Sequence, residues 1–255
     1  MSIRSLAAAT LVAGVLSSAA AFAADAPPPT GPFGGNFAGS VAGVTDYRYR
    51  GISQTSKDPA VQGYLEYALP VAGDAAAVYG SVWGSNIHFG GNLETDWTAG
   101  VRGAVMDGKL SYDVNALRYA YPGANGNANL DFWEFGGKLT YDFGMVAPYV
   151  GFRWAPDFQL KSGDAEYYTA GVTVPLPFLA DYKPTIVAEY DYQAIDKNAR
   201  YGTPDYATWN VGFNITAWTL TWGIQYIDTD MSRRDCNGGA NTCGPTGILS
   251  VTKTF

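Results

Sequence analysis

The chain has 255 residues, with 16 Lys and Arg against 23 Asp and Glu, a formal charge of −7. That balance excludes the Lys/Arg clusters on which binding to a nucleic-acid backbone depends. Charged residues make up 15%, below the soluble average of about 25%, and the 31 Gly, 18 Tyr, 12 Phe and 7 Trp suit many short strands with interfacial aromatics better than a helical fold.

The order of Arg4, an apolar run from Leu6 to Val15, and Ala21-Phe22-Ala23 predicts a secretory signal over residues 1–23. The apolar run is shorter than the roughly 20 residues of a membrane-spanning helix. Charges, Gly and Asn interrupt every later one. Because Arg4 is the only charge in the leader, its removal takes the formal charge from −7 to −8. Residues 24–35, with Pro27, Pro28, Pro29 and Pro32, read as an extended periplasmic lead-in.

From residue 36 the pattern predicts about twelve strands, near 36–49, 60–69, 76–88, 94–106, 109–121, 129–141, 145–155, 165–175, 184–193, 206–216, 218–228 and 246–255. Each is close to the roughly 9–11 residues of a tilted transmembrane strand. The clearest pair is Ala207 to Tyr226. Ala207, Trp209, Val211, Phe213 and Ile215 take one parity, and Thr208, Asn210, Gly212, Asn214 and Thr216 the other. After a tight turn near Ala217 the alternation resumes, with Trp218, Leu220, Trp222, Ile224 and Tyr226 apolar. Successive side chains of a strand point to opposite faces, so the hairpin has one oily and one wet face. The pattern breaks in the first and third segments, and a bulge is expected near Arg118.

Connection lengths alternate. Val71–Ala75, Asp107-Gly108, Asp142–Gly144 and the turn near Ala217 are short, and Asp107-Gly108 is a two-residue hairpin signal. Longer polar loops lie between them, at 50–58, 89–93, 122–128, 156–164, 194–205 and 229–245. The segment 175–183 is a longer connection on the short-turn side. Short periplasmic turns, long outer loops and an even strand count define bacterial outer-membrane barrels, and closure removes the edges that lipid cannot satisfy. Residues 36–255 therefore read as one all-β domain, a transmembrane antiparallel up-and-down β-barrel in the outer membrane of a Gram-negative bacterium.

The charges Glu66, Arg102, Asp113, Glu134, Lys138, Arg153, Glu189 and Asp191 fall on the polar parity, so they are the candidate lumen-lining residues. On the lipid face an Arg or Lys at the midplane costs about 2–4 kcal/mol. One reading is a water-filled path whose opposed charges set a field, and the other is that they pair and plug a narrow barrel. Most Trp share the oily parity and form an interfacial girdle, while Tyr64 and Tyr149 have the lumen parity. His88 is the only histidine, with Ser85, Asn86, Glu94 and Asp96 nearby. Nothing there marks a nucleophile elbow or an oxyanion hole, so a solvated loop histidine is favoured over a catalytic one. Cys236 and Cys243 share one predicted loop and are expected to pair as a local disulfide in an oxidising compartment. Gly123-Ala-Asn-Gly-Asn reads as a turn and not a phosphate cradle; an Asn/Asp loop binding calcium loosely is an undistinctive alternative there, and no cofactor is expected.

Val44 to Ala104 carries a further signal. Asp46-Tyr47, Tyr49-Arg50-Gly51-Ile52-Ser53-Gln54-Thr55, Asp58-Pro59-Ala60-Val61-Gln62-Gly63 and Val82-Trp83-Gly84-Ser85-Asn86 resemble the TorF family of proteobacterial porins, also described as Gcw_chp. The match is looser onward to Phe255, whose C-terminal aromatic is similar to the signal by which outer-membrane barrels are recognised for assembly. Lys253 departs from the apolar residue usual there. The resemblance implies an outer-membrane barrel and a channel role without fixing a substrate. The loop Arg50–Asp58 is expected either to fold inward as a constriction, with Arg50, Gln54 and Lys57 as polar contacts, or to form a stiff rim held by Gly51, Asp58 and Pro59.

These readings converge on a channel for passive diffusion of small hydrophilic solutes or ions. The rivals are a non-conducting structural or surface-binding barrel and an outer-membrane hydrolase using His88. The expected partners are outer-membrane lipid and lipopolysaccharide, small hydrophilic solutes and, during biogenesis, the barrel-assembly machinery.

Overall fold

The computed structural model describes residues 30–255. The expected signal (1–23) and most of the Pro-rich segment lie outside the described residues. The strands in chain order are β1 (Asn36–Val44), β2 (Arg48–Tyr49), β3 (Ile52–Ser53), β4 (Ala60–Pro70), β5 (Ala77–Asn86), β6 (Leu93–Val105) and β7 (Leu110–Ala120). They continue with β8 (Phe132–Tyr141), β9 (Ala147–Ala155), β10 (Ala165–Pro175), β11 (Thr185–Ile195), β12 (Tyr206–Ala217), β13 (Leu220–Thr229) and β14 (Thr246–Thr254). All but β2 and β3 form one closed antiparallel barrel of twelve strands. Each strand pairs with its neighbours in sequence, and the seam closes where β1 meets β14, from Ser40 opposite Thr254 to Val44 opposite Ser250. No helix among the described residues is long and apolar enough to cross a membrane.

Alternation sets the two surfaces. On β4, Val61 and Leu65 point outward and Gln62 and Glu66 are buried inward; on β12, Val211 points outward and Thr208, Asn210 and Asn214 inward. Val101, Val114, Leu139, Val150, Ile224 and Leu249 continue an exposed apolar band around the outside. Trp97, Trp133 and Trp154 lie toward the long-loop end and Trp218 and Trp222 toward the short-turn end, as the interfacial girdles of such barrels require. Trp83 differs: it faces inward and packs edge-on against Tyr47, 5.3 Å between ring centres.

Three local expectations are corrected. The first segment ends at Val44 instead of running to residue 49, because Asp46, Arg48 and Ser53 hydrogen-bond among themselves and draw the chain into the barrel. No bulge occurs at Arg118, since β7 pairs in unbroken register with β6 and β8. The parity seemed to fail there because Arg118 sits on the outer face near the rim, where it is held by Asp131 at 3.0 Å and lies over the Trp133 ring. The turn before β13 is made by Trp218 and Thr219, both with positive φ (53° and 64°).

Candidate functional site

The connection between β1 and β4 does not stand out from the rim. It turns inward as a short hairpin, β2 and β3, whose residues from Tyr47 to Thr55 are buried inside the outer half of the barrel. The turn at its tip uses Arg50 (φ 49°) and Gly51 (φ 83°), left-handed conformations that glycine adopts without penalty. At its base, Asp46 accepts from Arg48 Nε at 2.9 Å and from Ser53 Oγ at 2.6 Å, and Gln54 N donates to the Tyr47 carbonyl at 2.7 Å. Arg48 is fully buried, and its Nη1 donates to the carbonyls of Gly51 and Gly244, each at 2.8 Å.

The tip reaches the far wall. Arg50 pairs with Glu134 on β8 through Nη2 and donates to Gln193 Oε1 on β11 at 2.5 Å. Its guanidinium lies 4.7 Å from the Tyr49 ring centre and 4.1 Å from that of Tyr167 on β10. Tyr206 of β12 donates its hydroxyl to the Arg50 carbonyl at 3.0 Å. One loop residue thus ties four strands that are remote from the loop's own roots on β1 and β4. Buried charge pairs of this geometry are strong only when the remaining polar atoms are also satisfied, and here Tyr119 adds a hydrogen bond to Glu134 at 3.1 Å.

A second loop covers the first. Residues 230–245 carry the Cys236–Cys243 disulfide, and the Thr242 carbonyl accepts from Ser53 N at 2.9 Å. Ile52, Tyr206, Met231 and the disulfide form one apolar cluster above the hairpin.

The predicted lumen charges all face inward, with distinct partners. Arg102 makes two hydrogen bonds to Glu66, at 2.7 and 2.5 Å. Asp113 accepts from Tyr79 at 2.9 Å and from Asn115. Arg153 donates to Asn115 at 3.2 Å, and Lys138 lies 3.6 Å from the centre of the Tyr149 ring. Glu189 accepts from Tyr149 at 2.9 Å and Asn210 at 3.2 Å. Asp191 is buried, with Oδ1 unpartnered. Of the predicted loop contacts, Arg50 and Gln54 lie inside the barrel, whereas Lys57 is exposed at the rim, where the chain turns back toward β4. Lys57 therefore does not join Arg50 and Gln54 inside the barrel.

Two inward acids escaped the sequence reading. Glu94 and Asp96 were considered only as neighbours of His88, yet they continue the polar parity of Thr98, Gly100 and Arg102 to the outer end of β6. Glu94 accepts from Tyr47 at 3.0 Å, and neither oxygen of Asp96 has a partner. His88 stands apart from them. Its imidazole lies 3.4 Å from Asp58, both groups being exposed, and Ser85 Oγ donates instead to the Asn86 carbonyl at 3.0 Å. That arrangement lacks the nucleophile–base contact that a hydrolytic site requires.

Between the outer loops lies a cavity of about 290 Å³ floored by Tyr121 and Phe158. Burial pushes the Tyr121 phenol well above its ordinary value, with Glu94 and Asp96 adding to the effect, and its oxygen accepts from Gln159 at 2.6 Å. Nearby, burial raises the Tyr201 phenol to about 12. Both remain neutral hydroxyls at physiological pH.

Two solved structures share this architecture. A membrane protein studied for its in-meso crystallization superposes with a TM-score of 0.51 at 13% identity, over 86% of this chain and 83% of that one. An outer membrane channel from Pseudomonas putida F1 gives a TM-score of 0.50 at 12% identity, over 86% of this chain and 95% of that one. At such identities the likeness is one of fold. No curated protein matches the sequence. Residues 26–255 match the family described as bacterial protein of unknown function (Gcw_chp), and the chain belongs to that family.

Proposed function

We propose that this protein is a porin-like channel of a Gram-negative outer membrane, passing small hydrophilic solutes or ions passively along a polar path narrowed by the loop 45–59. The TorF porin assignment implied by the motifs between Val44 and Ala104 belongs to the same reading. The observation that carries it is the inner wall. Charged and amide side chains line it from Asp113 and Glu66 near the short turns to Glu94 and Asp96 near the outer loops. A barrel needed only for its shell gains nothing from so many costly inward charges. The apolar band meets lipid and lipopolysaccharide, and β14, with Phe255 directly after it, is presented to the assembly machinery.

One observation favours the rival, a closed structural barrel: Arg50 ties the loop across the lumen to Glu134 and Gln193. Planar-bilayer recording of the refolded mature protein separates the two. The channel reading expects discrete conductance steps that enlarge in Arg50→Ala. Silence from both proteins, with the barrel verified by its heat-modifiable migration, refutes it in favour of the structural barrel.

A further inference from the structure

Resting on the channel reading, we infer that the lumen selects cations, through two stations on its wall: Glu94 with Asp96 on β6, and Glu189 with Asp191 on β11. Set aside the pairs Glu66–Arg102, Glu134–Arg50 and Asp46–Arg48. The other inward charges are the four station acids and Asp113, against Lys138 and Arg153, Glu189 being held by Tyr149 and Asn210. The excess is negative, and it is concentrated at two places.

Residues i and i+2 of a strand share a face, so each station brings two carboxyl groups together on the same stretch of the inner wall. Asp96 is fully buried, with both oxygens lacking a hydrogen-bond donor, and Glu94 Oε2 and Asp191 Oδ1 are buried and likewise unpartnered. An uncompensated buried carboxylate is costly, and a cation beside it removes that cost. Across the ladder Asp96 stands between Trp83 and Tyr119, aromatic neighbours that also favour a cation or an amine over an anion.

Nothing here amounts to a resident metal site, since no group of three or more His, Cys, Asp or Glu is placed to hold a metal among the described residues. Two weak carboxylate stations are the arrangement that conduction needs, because an ion must bind well enough to enter and loosely enough to leave.

The test is the reversal potential of the mature protein in a KCl gradient. The expected sign is that of cation preference, with Asp96→Asn and Asp191→Asn each lowering the cation-to-anion permeability ratio at least twofold and the double variant lowering it further. Anion preference in the wild type, or an unchanged ratio in the double variant, overturns the inference. Should the protein not conduct, the channel reading fails separately, and the stations are decided by terbium luminescence of the folded barrel in detergent. Saturable emission sensitised by Trp83 and lost in Asp96→Asn supports cation binding, and no saturable emission from the wild type overturns it.

Discussion

Replacing Arg50 with Ala is the sharpest probe of the inward loop. With the loop docked, the variant leaves Glu134, only 1% exposed, without its guanidinium, and leaves Gln193 without its donor. Breaking one partner of a buried ion pair costs about 3–5 kcal/mol. Loss of the stacking on Tyr49 and Tyr167 adds to this, while the Tyr119 hydroxyl retained on Glu134 subtracts. Glu134 regains water only when the loop leaves, so the penalty falls on the docked state alone. Taking the low end, about 3 kcal/mol, the undocked population rises roughly 150-fold. Hydrogen exchange followed by mass spectrometry reads this directly. The Ser53 and Gln54 amides, bonded to Thr242 and Tyr47, should exchange about a hundredfold faster, while the β12–β13 ladder stays protected. Exchange of these amides within threefold of wild type would refute the view that Arg50 latches the loop.

Other changes test other levels of the structure. Val211→Arg places a charge on the outward face of β12 and should destabilise the barrel by about 2–4 kcal/mol in urea unfolding from lipid vesicles, if that face meets hydrocarbon. Reduction of Cys236–Cys243, a bridge of sequence separation 7, should remove about 2.5 kcal/mol from the order of its loop. Because Thr242 caps Ser53, exchange at residues 52–53 should rise with it while the strand ladders are unaffected. Gly51→Ala should weaken docking by more than 1 kcal/mol. The residue has φ +83°, and the added methyl would collide with Thr229 and come within 2.7 Å of Thr208 Oγ1. A wild-type exchange profile in that variant would show that the tip does not press on the far wall.

The barrel was legible because lipid enforces alternation on the outside: the parity around Val61, Trp97, Val150 and Val211 places each of those strands within a few residues. Legibility fell at the ends, where the constraint relaxes. Arg118 faces outward at the rim, where an acidic partner and water make a charge tolerable, and it looked like a defect of register. The polar parity of β6 reached Asp96 and Glu94, but their proximity in sequence to His88 suggested a loop site instead of a wall. The inward turn of the loop was open between two readings because Arg50, Gln54 and Lys57 carry no periodic signal. Its course depends on Glu134, Gln193 and Tyr206, partners some 84 to 156 positions away.

Twelve strands enclose more interior than wall side chains alone can fill, lying between the filled barrels of about 8 strands and the open porins of roughly 16–18. The chain meets this unevenly along the axis. The outer half is occupied by the hairpin, with its own Tyr47 and Tyr49, and by the aromatic neighbours Tyr119 and Phe132. Toward the short turns, inward positions go to glycine at Gly100, Gly171 and Gly223, and tyrosine rings pack close against two of them. A Cβ on Gly100 would come within 2.8 Å of the Tyr79 ring, and one on Gly171 would collide with Tyr149. The obstacle across the lumen is thus a loop held by hydrogen bonds and a charge pair, separate from the ladders that hold the wall. Local opening of such a segment requires no strand to unpair. On the proposed channel reading, conduction would therefore be set by residues 45–56 and their latch at Arg50, and solute choice by the side chains along the wall.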